Sequence, residues 1–86
     1  MSAPFRLRRV RLEPGTEQEF RADEWQDCLV LVDGGPLEVE CASGTRALFE
    51  PGAALTFVGL SLRSLRCAGI APVVLTALSR NFVADR

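Results

Sequence analysis

The chain has no histidine, no lysine and no tyrosine, and all ten of its basic residues are arginine. This removes the imidazole base, the Schiff-base amine, the phenol and every histidine metal ligand. Carboxylates, guanidinium groups, thiols and hydroxyls are left for any chemistry. The three cysteines, Cys28, Cys41 and Cys67, are odd in number and widely spaced, without a Cys-x-x-Cys pair. That pattern argues against a secreted disulfide framework and against a zinc site, so buried free thiols are expected. No apolar run approaches the ~20 residues that span a bilayer, and the start, Met1-Ser2-Ala3-Pro4-Phe5-Arg6, carries no signal-peptide core. A soluble, cytoplasmic protein is the expectation. A net charge of −1 gives no global field to draw nucleic acid or an anionic membrane.

What is present is an ordinary globular composition, 48% hydrophobic and 24% charged. At 86 residues the chain has room for one core, so residues 1–86 are read as a single domain with its folded part at about 4–80. Its organising stretch is Asp27 to Cys41. In Leu37-Glu38-Val39-Glu40-Cys41 the apolar and acidic residues alternate strictly, as in a half-buried strand. Cys28-Leu29-Val30-Leu31-Val32 is apolar at every position, which suits a central strand. Gly34-Gly35-Pro36 between them ends both runs, and the pair is expected to form a hairpin.

Upstream, Phe5, Leu7, Val10 and Leu12 interleave with Arg6, Arg8, Arg9 and Arg11. This reads as a first strand with a wet, basic face rather than a nucleic-acid patch. The apolar phase shifts between Leu7 and Val10, which predicts a β-bulge at Arg8 and Arg9. Glu13-Pro14-Gly15-Thr16 is a turn, and Glu17 to Arg21 a short extended segment leading past Trp25. Further strands are expected at Thr45–Phe49, Ala53–Val58, Leu60–Cys67 and Val73–Ser79, separated by Gly- and Pro-containing turns, with a frayed tail at 81–86. Short strands at regular spacing and no helical period imply an all-β chain, a small antiparallel sandwich or barrel.

The spacing of several residues resembles that of the cupin superfamily. Its first motif runs glycine, five residues, His-x-His, three or four residues, glutamate, six residues, glycine. Here Gly15 is followed at those intervals by Arg21-x-Asp23, Asp27 and Gly34. The second motif begins at Gly52, preceded by a Pro51-Gly52 turn; Arg63 falls at its histidine and Cys67 at its asparagine, while Val58 and Leu60 replace its proline and glycine. The resemblance implies a small antiparallel β-barrel of jelly-roll type in which Arg21, Asp23, Asp27 and Arg63 take the places of the family's metal ligands. Guanidinium groups only donate and stay protonated, so no metal and no cofactor is expected. The resemblance also implies a homodimer, with the Phe5 to Leu12 segment suited to strand addition.

If these four residues meet inside the barrel, two arginine forks facing two carboxylates would cross-link it in place of a metal. Equally, they could lie at the rim, paired with one another or with water. Trp25, the single tryptophan, lies between Asp23 and Asp27 as a rim or core anchor, a stacking surface for a ligand or a dimer contact. Leu55, Phe57, Leu60, Leu62 and Leu65 are mostly core, with an excess that suggests a subunit interface. Leu29, Leu31, Phe57 and Leu65 would be enough to fill so small a barrel.

Two functions follow from these residues. The first is a metal-free binding or regulatory module for a small anionic or sugar-like ligand, with Arg21 and Arg63 as anchors, Asp23 or Asp27 bonding its hydroxyls, and Trp25 beside them. The second is a metal-independent isomerase or lyase acting on a small polar metabolite, with Asp23 or Asp27 as base; a third reading beside these two is a purely structural interaction protein. The missing imidazole favours the first.

Overall fold

The computed structural model describes residues Phe5–Arg80; the tail expected at 81–86 lies outside the described residues. The elements are β1 (Phe5–Leu12), β2 (Glu17–Glu19), α1 (Ala22–Trp25), β3 (Cys28–Asp33), β4 (Leu37–Cys41), β5 (Arg46–Phe49), β6 (Ala54–Leu55), β7 (Leu62–Cys67) and β8 (Val73–Arg80). They build two four-stranded antiparallel sheets, β1-β8-β3-β6 and β2-β7-β4-β5, packed as a small sandwich. Each sheet ends on two edge strands, so among the described residues no strand pairing closes the layers into a barrel.

The interior follows from period-two alternation. Val30 and Val32 of β3, Val73, Leu75 and Ala77 of β8 and Leu12 of β1 face Leu37 and Val39 of β4 and Leu65 and Cys67 of β7, all nearly inaccessible. At about 25 cal/mol per Å² of apolar area removed from water, this shared layer holds the two sheets together. The alternation expected for residues 37–41 is observed from Leu37 to Glu40 and lapses at the half-buried Cys41, where the register shifts, and β3 is central, between β8 and β6. The three cysteines are free thiols, Cys28 and Cys67 buried and Cys41 half-buried.

The expected hairpin does not form. β3 pairs with β6 and β8, whereas β4 pairs with β5 and β7, so Gly34-Gly35-Pro36 is a corner that carries the chain from one sheet to the other. Close packing explains the glycines. Gly34 has φ +83°, and a Cβ on it would lie 2.3 Å from the Pro72 carbonyl oxygen; one on Gly35 would lie 2.6 Å from that of Ala71. Leu29 and Leu31, expected to fill the interior, alternate with the buried Val30 and Val32 and therefore point outward.

The bulge expected at Arg8 and Arg9 is also absent, since β1 pairs with β8 in unbroken register from Phe5↔Arg80 to Leu12↔Val73. Arg6, Arg8, Val10 and Leu12 share the inner face and Phe5, Leu7, Arg9 and Arg11 the outer one. The four arginines thus divide between the faces instead of forming one wet side. The irregularity lies elsewhere: between Glu40 and Cys41 the register against β7 shifts, leaving Arg63 as the extra residue. Two smaller departures are the helical turn α1 and the length of β6, whose two residues replace the six-residue strand expected at Ala53–Val58.

Candidate functional site

At one end of the sandwich the layers part, and the chain between β2 and β3 lies across the opening. Arg21 is extended, Ala22–Trp25 make a single helical turn, and Gln26 returns to extended backbone. Asp27 then takes φ +57°, a conformation that aspartate tolerates better than most residues, and enters β3. This path lowers Trp25 between the sheets until it is 2% exposed. Its ring meets Phe57 edge-on at 5.6 Å, and Phe57 meets Phe20 edge-on at 5.4 Å. From the opposite side the Arg8 guanidinium lies 4.7 Å from the Trp25 ring centroid and donates to the carbonyl oxygen of Glu24. A cation over an indole face is worth about 0.5–1 kcal/mol at an exposed site, so Arg8 also helps to hold α1 in place.

The turn divides the opening into two hollows. The larger, about 570 Å³, has Phe20, Trp25, Phe57 and Leu60 as its apolar lining, with Asp23, Gln26 and Asp27 among its polar residues. The smaller, about 310 Å³, lies toward β1 and includes Arg6, Arg8, Asp23, Glu24, Cys28 and Ser79. The Trp25 indole N–H is fully buried and has no hydrogen-bond partner among the described residues. A buried donor left unpaired costs roughly 1–3 kcal/mol, which makes this atom exceptional in so small a core.

Of the residues marked by the sequence, Asp23, Trp25 and Asp27 come together around the larger hollow. Arg21 is exposed and does not line it. Arg63 does not point inward. Strict alternation from the buried Leu65 would place it inside, but the register shift re-aims it to donate to the Ala42 carbonyl oxygen at 3.2 Å and to pair with Glu40 at 3.5 Å. The ion pairs among the described residues are Arg11–Glu13, Arg63–Glu40 and Arg66–Glu38, so the cross-link of two arginines and two aspartates inside the fold is not present. Sequence reasoning did not mark Phe20, Gln26 and Arg8 as site residues. A signal for Arg8 was available, because it lies two and four residues before the inward Val10 and Leu12. No group of three or more His, Cys, Asp or Glu side chains is suitably placed for a metal ion among the described residues.

No known protein family matches the sequence, and no curated protein matches it. Solved structures share the fold, among them the following two. A crystal structure of protein NMB1881 from Neisseria meningitidis is 13% identical over 94% of this chain and 78% of its own, with a TM-score of 0.66. The solution NMR structure of a de novo designed double-stranded beta-helix is 28% identical over 88% of this chain and 99% of its own, with a TM-score of 0.58.

Proposed function

We propose that the chain is a cupin-like jelly roll that binds a small, uncharged, sugar-like molecule without transforming it. The strand order β1-β8-β3-β6 over β2-β7-β4-β5 and the similarity to a double-stranded beta-helix support the architecture. The observation that carries the binding reading is the mixed lining of the larger hollow, where Trp25 stands with apolar side chains, an amide and two carboxylates. The apolar lining of Phe20, Phe57 and Leu60 suits the C–H face of a sugar, and Asp23, Gln26 and Asp27 suit its hydroxyls. The choice between the anionic and sugar-like ligands expected from sequence follows from charge. Neither Arg21 nor Arg63 lines this hollow, whereas two carboxylates do, and they would repel an anion.

Because Trp25 is the only tryptophan, its fluorescence reports on the site directly. Titration with a panel of neutral mono- and disaccharides should give a saturable change for at least one of them, with the corresponding sugar acids bound at least tenfold more weakly. Asp27→Asn should reduce that affinity by roughly tenfold, the value of one or two lost hydrogen bonds, with the melting temperature unchanged. Absence of saturable binding for the whole panel, by fluorescence and by calorimetry, would refute the proposal.

A further inference from the structure

The register places an apolar patch on the outside of the β1-β8-β3-β6 sheet. Leu7, Leu78 and Leu29 lie side by side across three strands, and Arg9, Thr76, Leu31 and Ala54 form the next row. Leu7 is 60% exposed and Leu29 and Leu31 are each 42% exposed. The following row is Arg11, Val74 and Asp33, with a cation on one side of β8 and an anion at the same level on the other. We infer that two copies of the chain meet on this face, in a symmetric pair whose two-fold axis runs along β8.

That axis exchanges β1 of one copy with β3 of the other at the same height. Leu7 then covers the second copy's Leu29, Leu78 covers Leu78, and Arg11 meets Asp33 twice. A two-fold axis at right angles to the strands would instead set Arg11 over Phe5, so the charge pattern selects the first arrangement. Arg11 already pairs with Glu13, but its fork retains donors for a second carboxylate, and Asp33 has no ion pair among the described residues. The sheets would cross at the small angle that twisted sheets adopt when packed face to face. With strands about 4.8 Å apart and a rise of about 3.3 Å per residue, the strands of this face cover roughly 380 Å² per copy. The total of about 760 Å² is below the ~1,000 Å² of a stable specific interface, so the pair is a weak one that forms at high concentration.

Strand addition across the β1 edge, the mode expected from sequence, would leave these leucines in water. An antiparallel β1–β1 pair would also set arginine-rich strands against each other. The face accounts for the exposed leucines and the edge does not.

The test is sedimentation equilibrium of the whole chain over micromolar to millimolar concentrations. Twice the chain mass is expected at the upper end. Leu29→Glu with Leu31→Glu should raise the dimer dissociation constant at least 100-fold while leaving the circular dichroism spectrum unchanged. Arg11→Asp and Asp33→Arg should each weaken the dimer roughly tenfold, and the two together should restore it to within about threefold. A monomer throughout, including one whose face is taken by a different protein, overturns the inference, as does a dimer indifferent to the glutamates. Failure of the charge exchange to restore the dimer overturns the axis along β8.

Discussion

On the outside of the β2-β7-β4-β5 sheet, Arg66 meets Glu38 at 2.7 Å and Arg63 meets Glu40 at 3.5 Å, with Glu17, Glu19 and Arg46 in the adjoining register positions. At the corresponding place on the β1-β8-β3-β6 sheet stand Leu7, Leu78 and Leu29. Both sheets contribute a similar apolar layer to the interior, so the difference cannot arise from the needs of the core. A single charged exterior would have served folding equally well. The outside of the first sheet is mostly paired charges, with Leu48 exposed beside Glu38, whereas three leucines stand in one row on the outside of the second.

Several measurements would break or sharpen this contrast. If the inner faces are equivalent, Leu65→Ala on one sheet and Leu75→Ala on the other, both 0% exposed, should each lower unfolding stability by about 2–5 kcal/mol. Denaturant melts that differ by more than the width of that range would show that one sheet dominates the core. The corner joining the sheets comes next. Gly34→Ala sets a methyl against the Pro72 carbonyl oxygen at a positive φ and should cost roughly 1–3 kcal/mol, whereas Gly44→Ala, with φ +96° but open space around it, should cost less.

The outer faces give the smaller effects. Glu38→Ala removes a half-exposed pair on the charged sheet and should cost about 0.2–1 kcal/mol, a difference that shrinks in 1 M NaCl. Self-association through the leucine face should respond in the opposite sense and tighten in sulfate salts. Arg63→Leu should change the melting temperature least, since that side chain is 60% exposed and its ion pair is long.

How much of this was legible in the sequence depended on whether a signal was local. The alternation of Leu37 to Glu40 needs only a pleat and a buried side, and it was read correctly; it fails at Cys41, where the register shifts. Gly34-Gly35-Pro36 announces that a strand ends, but the same residues suit a hairpin and an inter-sheet corner. What decides between them is the Pro72 carbonyl, 38 residues away. Arg8 imitated a bulge because β1 runs past the edge of the core. Before Val10, at Arg6 and Arg8, the inner face opens on the mouth of the sandwich, so side-chain type no longer reports which way a residue points.

The candidate site divides in the same way. Asp23, Trp25 and Asp27 lie close in sequence on one segment, and they meet. Arg63 was expected inside because it falls at the histidine of the second cupin motif, and one extra residue in β7 turns it outward. The helical turn α1 is four residues long, too short for any 3.6-residue period to register.

The pairing of β1 with β8 has a consequence for synthesis. Among the described strands, β1 has no neighbour except β8, and β3 gains its longer partner only from that same strand, its other contact being the two-residue β6. A chain emerging from the ribosome therefore carries an arginine-rich strand and an apolar one with unused hydrogen-bonding edges until residues 73–80 arrive. Topologies that wait for distant pairings fold slowly and expose such edges in the meantime. The arginines of β1 have a second use in that interval, since like charges along an unpaired strand discourage two nascent chains from joining before either is complete.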